Sequence, residues 1–209
     1  MTFSAAAAPP IASVRLADCT PQPWRNGGGV TRELLIWTRP NRVSSEPTGS
    51  DWIVRVSVAD IAHDGPFSSF PGIDRYFAVL EGEGVELGLD AGRTAQRRDD
   101  PPLFFEGESP VSCRLLQGPT RDLNLMGRRS HGQLLMQEAR QHPLLDAGLH
   151  WRGVFCFDSV TLNFGHGQSD VEVAAGTLCW SATASDAPWR FVCGGRSFWL
   201  ALADTETLA

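Results

Sequence analysis

The feature that most constrains the fold of this chain is a period of two. Polar and apolar residues alternate in VTRELLIW (30–37), WIVRVSVA (52–59), RYFAVLEG (75–82), GVELGL (84–89), VSCRLLQG (111–118) and RDLNLM (121–126). At that spacing successive side chains point to opposite sides, as in a strand with one face against a core. Turn-formers separate the runs: RPNRVSSEPTGSD (39–51), DGPFSSFPGID (64–74), LDAGRTAQRRDDPP (89–102) and EGESP (106–110). Short strands punctuated by Gly and Pro fold as sandwiches or barrels, so the expected class is all-β.

The pattern weakens over residues 127–148, which read as a connecting arm with one helical turn. Strand-like segments resume at GVFCFDSVTLNF (153–164), VEVAAGTLCWSA (171–182) and WRFVCGGRSFWLALA (189–203). No internal repeat of fixed period is visible. The expectation is two unequal β units packed together: a larger one over 11–128 that carries the candidate site, and a smaller one over 129–209. Residues 1–10 read as a loose tail. A length of 209 residues suits one domain or two small ones.

Several strands carry a polar series on one face and an apolar series on the other. In 30–37, Thr31 and Glu33 share a face, read together with Leu35 and Trp37. In 52–59, Arg55 and Ser57 oppose Trp52, Val54, Val56 and Val58; in 121–126, Asp122 and Asn124 oppose Leu123 and Leu125. Arg75 opens RYFAVLEG. These polar faces lie either in solvent or around the mouth of a barrel whose apolar faces pack outward on another sheet. In the second arrangement Glu33 and Asp122 meet Arg55 and Arg75, because a buried charge must be paired or hydrogen-bonded. Thr31, Ser57 and Asn124 add hydrogen bonds, and Arg is a bidentate partner for a carboxylate ligand. Glu33 and Asp122 are expected in ion pairs with Arg, which keeps them ionised and poor as proton carriers near neutrality.

Between Trp24 and this first strand stands NGGG, Asn26–Gly29. The chain has no Lys, and its 18 basic residues are all Arg. A Walker phosphate loop, which needs a Lys, and Schiff-base chemistry are therefore excluded. An alternating segment rather than a helix follows the glycines, which does not fit a dinucleotide fingerprint; GEGVELG (82–88) has the wrong spacing. The remaining reading is a close backbone approach beside a pocket, with Trp24 as a wall and Asn26 presenting its amide.

A net charge of −6 argues against a nucleic-acid partner. Cys19, Cys113, Cys156, Cys179 and Cys193 include no C-x-x-C pair and read as reduced, mostly buried thiols of a cytoplasmic protein. MTFSAAAAPP lacks the basic flank of a signal peptide, and no run is long enough for a membrane helix, so no membrane partner is expected. His63, His131, His142, His150 and His166 have no metal-motif spacing, and G-x-S-x-G is absent.

PWRNGGGVTREL (23–34), WIVRVSVADIAHDGPFSSFPGIDRYFAVLEGEGVEL (52–87) and FEGESPVSCRLLQGPTRDLNLMGRR (105–129), in that order, resemble the HutD/Ves family. The resemblance implies a cupin-like barrel in a double, bicupin arrangement. It also implies a regulatory or accessory role in histidine utilisation, with a carboxylate- or imidazole-bearing metabolite as ligand, and a homodimer is an assembly cupins form. Cupins usually hold a metal through G-x5-H-x-H-x3-4-E-x6-G. Here Arg75 falls at the position of the Glu, with Ser69 and Pro71 near the two His, and no His occurs between Asp64 and Ser130. Arg cannot ligate a metal. No metal and no cofactor are therefore expected.

Ligand contacts are expected from Trp24, Asn26, Thr31, Glu33, Arg55, Ser57, Arg75, Asp122 and Asn124, with Arg75 as the anion anchor. The competing readings are a metal-independent isomerase or hydrolase of a small acid using Glu33 or Asp122 as base, and an interaction module whose barrel is filled by its own side chains.

Overall fold

The computed structural model describes residues 11–38 and 52–203; the turn-rich segment 39–51 and the tail 1–10 lie outside the described residues. The first half runs β1 (Ala12–Arg15), β2 (Pro21–Pro23), β3 (Gly29–Trp37), β4 (Val54–Ile61), β5 (Gly65–Pro66), β6 (Ile73–Glu81), β7 (Val85–Leu89), β8 (Gly92–Gln96), β9 (Leu103–Glu106), β10 (Ser112–Leu115) and β11 (Thr120–Arg128). The second half runs β12 (Gln133–Glu138), β13 (Leu144–Leu145), β14 (Trp151–Cys156), β15 (Val160–Asn163), β16 (Val171–Val173), β17 (Thr177–Ser181), β18 (Trp189–Gly194) and β19 (Ser197–Ala203). Single 3-10 turns occupy Leu16–Asp18 and Arg129–His131.

Each half closes an inner sheet against a smaller outer one. The first inner sheet has the order β2-β3-β4-β11-β6-β9 and its outer sheet β5-β10-β7-β8; the second inner sheet has the order β1-β17-β14-β19-β12 and its outer sheet β13-β18-β15-β16. Three cores separate these four layers. One fills the first barrel, with Phe77, Val79, Val85 and Leu87, and one fills the second, with Val154, Leu162, Trp189 and Trp199. The third lies between the two inner sheets, where Val54, Val56, Val58, Leu123 and Leu125 meet Trp151, Phe155, Leu178, Phe198 and Leu200. Period two explains the layering. Val54, Val56 and Val58 point outward into the shared core, and Arg55, Ser57 and Ala59 therefore point into the first barrel.

The all-β bicupin architecture is the one expected, with three differences in detail. The weakly alternating arm contains β12, whose Leu134 and Met136 enter the shared core, and a 3-10 turn in place of an α-helical one. The three long segments of the second half are each two strands, and β5 and β8 lie within stretches read as turns. β1 belongs to the first unit by sequence but pairs with β17, Ala12 opposite Trp180 and Arg15 opposite Thr177.

β3 also corrects a shared face. Its pairing with β4 slips between Glu33, opposite Ser57, and Leu35, opposite Val56. This bulge turns the strand over, so Thr31 and Glu33 face the barrel, while Leu35 and Trp37 pack on the shared core.

Candidate functional site

The glycine run is the turn of a hairpin. β2 pairs with β3, Pro23 opposite Val30. Trp24 N donates to the Gly29 carbonyl at 2.9 Å, Gly27 N donates to the Trp24 carbonyl at 3.0 Å, and Gly27 takes φ +71°. Asn26 Oδ1 accepts from Gly28 N at 3.0 Å. A Cβ on Gly29 would collide with the Asp60 carbonyl of the neighbouring strand and press on the Trp24 ring. The turn thus sets Trp24 against the barrel mouth, where its Nε1 donates to Thr31 Oγ1 at 2.8 Å.

Beneath this turn lies a cavity of about 490 Å³, a size suited to a small molecule. Trp24, Asn26, Thr31, Arg55, Ser57, Arg75 and Asn124 line it, so seven of the nine expected residues converge there from the hairpin and from β3, β4, β6 and β11. Phe67, Phe70 and Met126 complete its apolar side.

Its charge is unbalanced. Arg55 Nε donates to Glu33 Oε2 at 2.8 Å, the ion pair expected for Glu33, although Glu33 stands behind Arg55 and does not line the cavity. Arg75 is 7% exposed. Its Nη2 donates to Asn124 Oδ1 at 3.1 Å, its Nε has no partner, and no carboxylate among the described residues reaches it. The rings of Phe67, Phe70 and Phe105 surround the guanidinium at 5.2, 5.8 and 5.0 Å. Burial, with the charge of Arg55 second, lowers the Arg75 pKa to about 10, so it remains a cation at neutral pH. Arg55 and Arg75, with the exposed Arg25 of the hairpin turn, against the one carboxylate of Glu33 leave a net positive charge around the cavity, which favours an anion.

Asp122 corrects its expected role. It meets neither Arg55 nor Arg75. It is fully buried deeper in the barrel, opposite Ala59 and Val79, and its Oδ2 accepts from Thr120 Oγ1 at 2.9 Å. Burial, opposed by the Thr120 hydrogen bond and reinforced by the charge of Asp60, raises its pKa to about 8. It is therefore a neutral acid near neutrality and not an ionised partner of Arg. Cys113 lies near it, and burial with the charges of Asp122 and Asp64 pushes that thiol up to about 12, which makes it a poor nucleophile.

The phenylalanine cage around Arg75 was not read from the sequence; its signal is FSSFPG (67–72) just ahead of Arg75. Among the described residues no group of three or more His, Cys, Asp or Glu side chains is placed to hold a metal. The groups facing the cavity are guanidinium, amide and hydroxyl, and Glu33 is engaged by Arg55. This set does not fit the His and Glu ligation usual in cupins.

A family model described as HutD matches residues 16–199. The chain belongs to the HutD family. An uncharacterized 21.2 kDa protein in the hutC 3′ region of Pseudomonas putida is 40% identical over 113 residues, which cover 54% of this chain and 56% of that one. Protein Ves of Citrobacter koseri is 40% identical over 108 residues, covering 51% and 52% respectively. This HutD-family chain thus spans about half the length of the curated relatives it matches. The structure of HutD from Pseudomonas fluorescens SBW25, described as its formate condition, is similar at TM-score 0.74 and 25% identity over 93% of this chain and 98% of that one. A conserved protein of unknown function from Pseudomonas aeruginosa PAO1 shares the fold at TM-score 0.77 and 24% identity, covering 93% and 100%.

Proposed function

We propose that this HutD-family protein binds a small carboxylate-bearing metabolite in the first barrel and acts as a regulatory or accessory protein of histidine utilisation. The observation that carries the binding is Arg75: a buried guanidinium at a cavity wall, with an unpartnered Nε and no counter-ion among the described residues. A carboxylate on Arg75 would supply the missing charge and accept from the donors around it, and Arg55, held by Glu33, would add attraction from the adjacent strand. Phe67, Phe70 and Trp24 suit a planar or apolar remainder, including an imidazole ring. The pathway role draws on the names of relatives, one encoded in a hutC 3′ region and one called HutD. A catalytic reading has less support. An isomerase or hydrolase needs a proton carrier at the cavity, whereas Glu33 is ion-paired and Asp122 does not line the cavity.

Thermal-shift titration with urocanate, histidine, glutamate, N-formylglutamate and formate tests the proposal. A rise in midpoint with at least one of them is expected, and Arg75→Ala should abolish it. No rise with any would overturn the reading, and turnover of a ligand lost in Glu33→Gln or Asp122→Asn would replace it with the enzymatic one.

A further inference from the structure

Eight strands of the second half, β12 to β19, repeat β4 to β11 of the first in order, while β1, β2 and β3 have no counterpart. In the inner sheets, β17-β14-β19-β12 stands where β9-β6-β11-β4 stands; in the outer sheets, β13-β18-β15-β16 stands where β5-β10-β7-β8 stands. Under this equivalence β14 corresponds to β6, the strand of Arg75. Arg152 lies at the start of β14, on the face of Val154 and Cys156, and therefore points into the second barrel.

Arg152 shares three features with Arg75, namely burial, unpartnered guanidinium nitrogens and an aromatic face, in a more closed setting. It is fully buried. Its Nη1 donates to the Ala187 carbonyl at 2.7 Å, while Nε and Nη2 have no protein partner. No carboxylate among the described residues forms an ion pair with it. The guanidinium carbon sits 4.7 Å from the centre of the Trp189 ring, and Trp189 Nε1 is buried without a partner as well. The segment 182–188 supplies the Ala187 carbonyl. It is pinned to the rest of the barrel by Gly148 N, which donates to the Ser185 carbonyl at 2.7 Å, and by a 2.6 Å hydrogen bond between His166 Nε2 and Ser185 Oγ.

We infer that the second barrel is a second anion site, in which Arg152 holds a small planar oxyanion, a carboxylate or its inorganic equivalent, beneath the segment 182–188. The geometry selects the class. Nε and Nη2 form the side edge of a guanidinium, whose two parallel N–H groups match the two oxygens of a planar oxyanion. The occupied Nη1 and the Trp189 face close the other approaches. Burial without a neighbouring carboxylate limits the ligand to a single negative charge of few atoms, because an unpaired buried cation is costly and a polyanion would reverse the imbalance. Burial lowers the Arg152 pKa to about 10, which still leaves it charged at neutral pH. The inference does not depend on the ligand proposed for the first barrel.

Formate, the smallest carboxylate, is the probe, and equilibrium dialysis of the full chain at saturating labelled formate gives the stoichiometry. Wild type should bind two equivalents, Arg75→Ala one, and Arg75→Ala with Arg152→Met none. If Arg75→Ala binds none, or if the double variant still binds one, the inference is overturned. If wild type and Arg75→Ala both bind one equivalent that Arg152→Met removes, the second site stands and formate binding at Arg75 fails. Should Arg152→Met not fold, a crystal structure of Arg75→Ala grown in formate decides: density for formate on Arg152 Nε and Nη2 supports the site, and water molecules there overturn it.

Discussion

At the scale of single residues, strand periodicity tells which face a side chain takes but not how deep it sits. Ser57, Arg55 and Asn124 were legible because each opposes an apolar neighbour that packs in the shared core. Asp122 obeys the same rule and shares the face of Asn124. Two residues along a strand is nearly 7 Å, and that step carries it from the mouth into the apolar interior beside Ala59 and Val79. Its environment is set by the strands on either side, which the local sequence does not encode. The consequence is a stability term with a definite sign. The folded-state pKa is raised from the ordinary 3.8 to about 8. The favourable contribution of the neutral acid is fully present below the ordinary value and is lost as pH rises through about 8. Asp122→Asn keeps a neutral acceptor for Thr120 at every pH. The variant should match wild type near pH 4 and exceed it by at least about 1 kcal/mol, or about 2–4 °C in midpoint, above pH 8. Urea midpoints across that range check this, and parallel profiles would mean that Asp122 is ionised in the native state.

At the scale of elements, the hairpin from Pro21 to Trp37 shows which local signals suffice. Its glycines were readable as a close approach because Gly, alternation and the absence of Lys left few other roles. The register slip after Glu33 was not readable, because one inserted residue in an alternating run leaves a pattern that still looks alternating until its partner strand is known. The three glycines are not equivalent. Gly27 has φ +71° with open space around its missing side chain, so Gly27→Ala meets only the backbone penalty, about 1 kcal/mol. Gly29 faces the Asp60 carbonyl across the β3–β4 pair, so Gly29→Ala must push two central strands apart. A loss of about 2–3 kcal/mol is expected, at the upper end of ordinary substitutions. Because Trp24 rests on Gly29, the ligand-induced thermal shift should shrink as well. Denaturant titration of the two variants gives the ranking, and equal costs would show that β3 and β4 accommodate the methyl group.

At the scale of the whole molecule, the duplication that organises the fold leaves no repeat in the sequence, because equivalent strands need share only their alternation and not their residues. RYFAVLE of β6 and WRGVFC of β14 illustrate this. Each carries Arg among apolar residues, yet Arg152 fell just outside the run that read as a strand. The two barrels are joined by more than a linker. The outward faces of both inner sheets form one core, and β1 crosses from the first half to the sheet of the second. Arg196 of the second half also donates to the Val79 carbonyl at 2.7 Å, beside the register slip where Arg121 lies opposite Glu81 and Asp122 opposite Val79. With that much buried apolar surface in common, neither half can open without exposing the other, so unfolding should be a single transition. Phe198→Ala removes a fully buried ring from the shared core and should cost about 3–5 kcal/mol. The buried thiols report each side separately, Cys113 in the first barrel and Cys156 in the second. In pulsed thiol labelling at rising denaturant, Cys113 and Cys156 should become reactive together, and Phe198→Ala should move both midpoints equally although the lost ring belongs to the second half. Separate labelling midpoints, with only Cys156 shifted by the substitution, would mean that the barrels unfold independently and that the interface between the inner sheets contributes little.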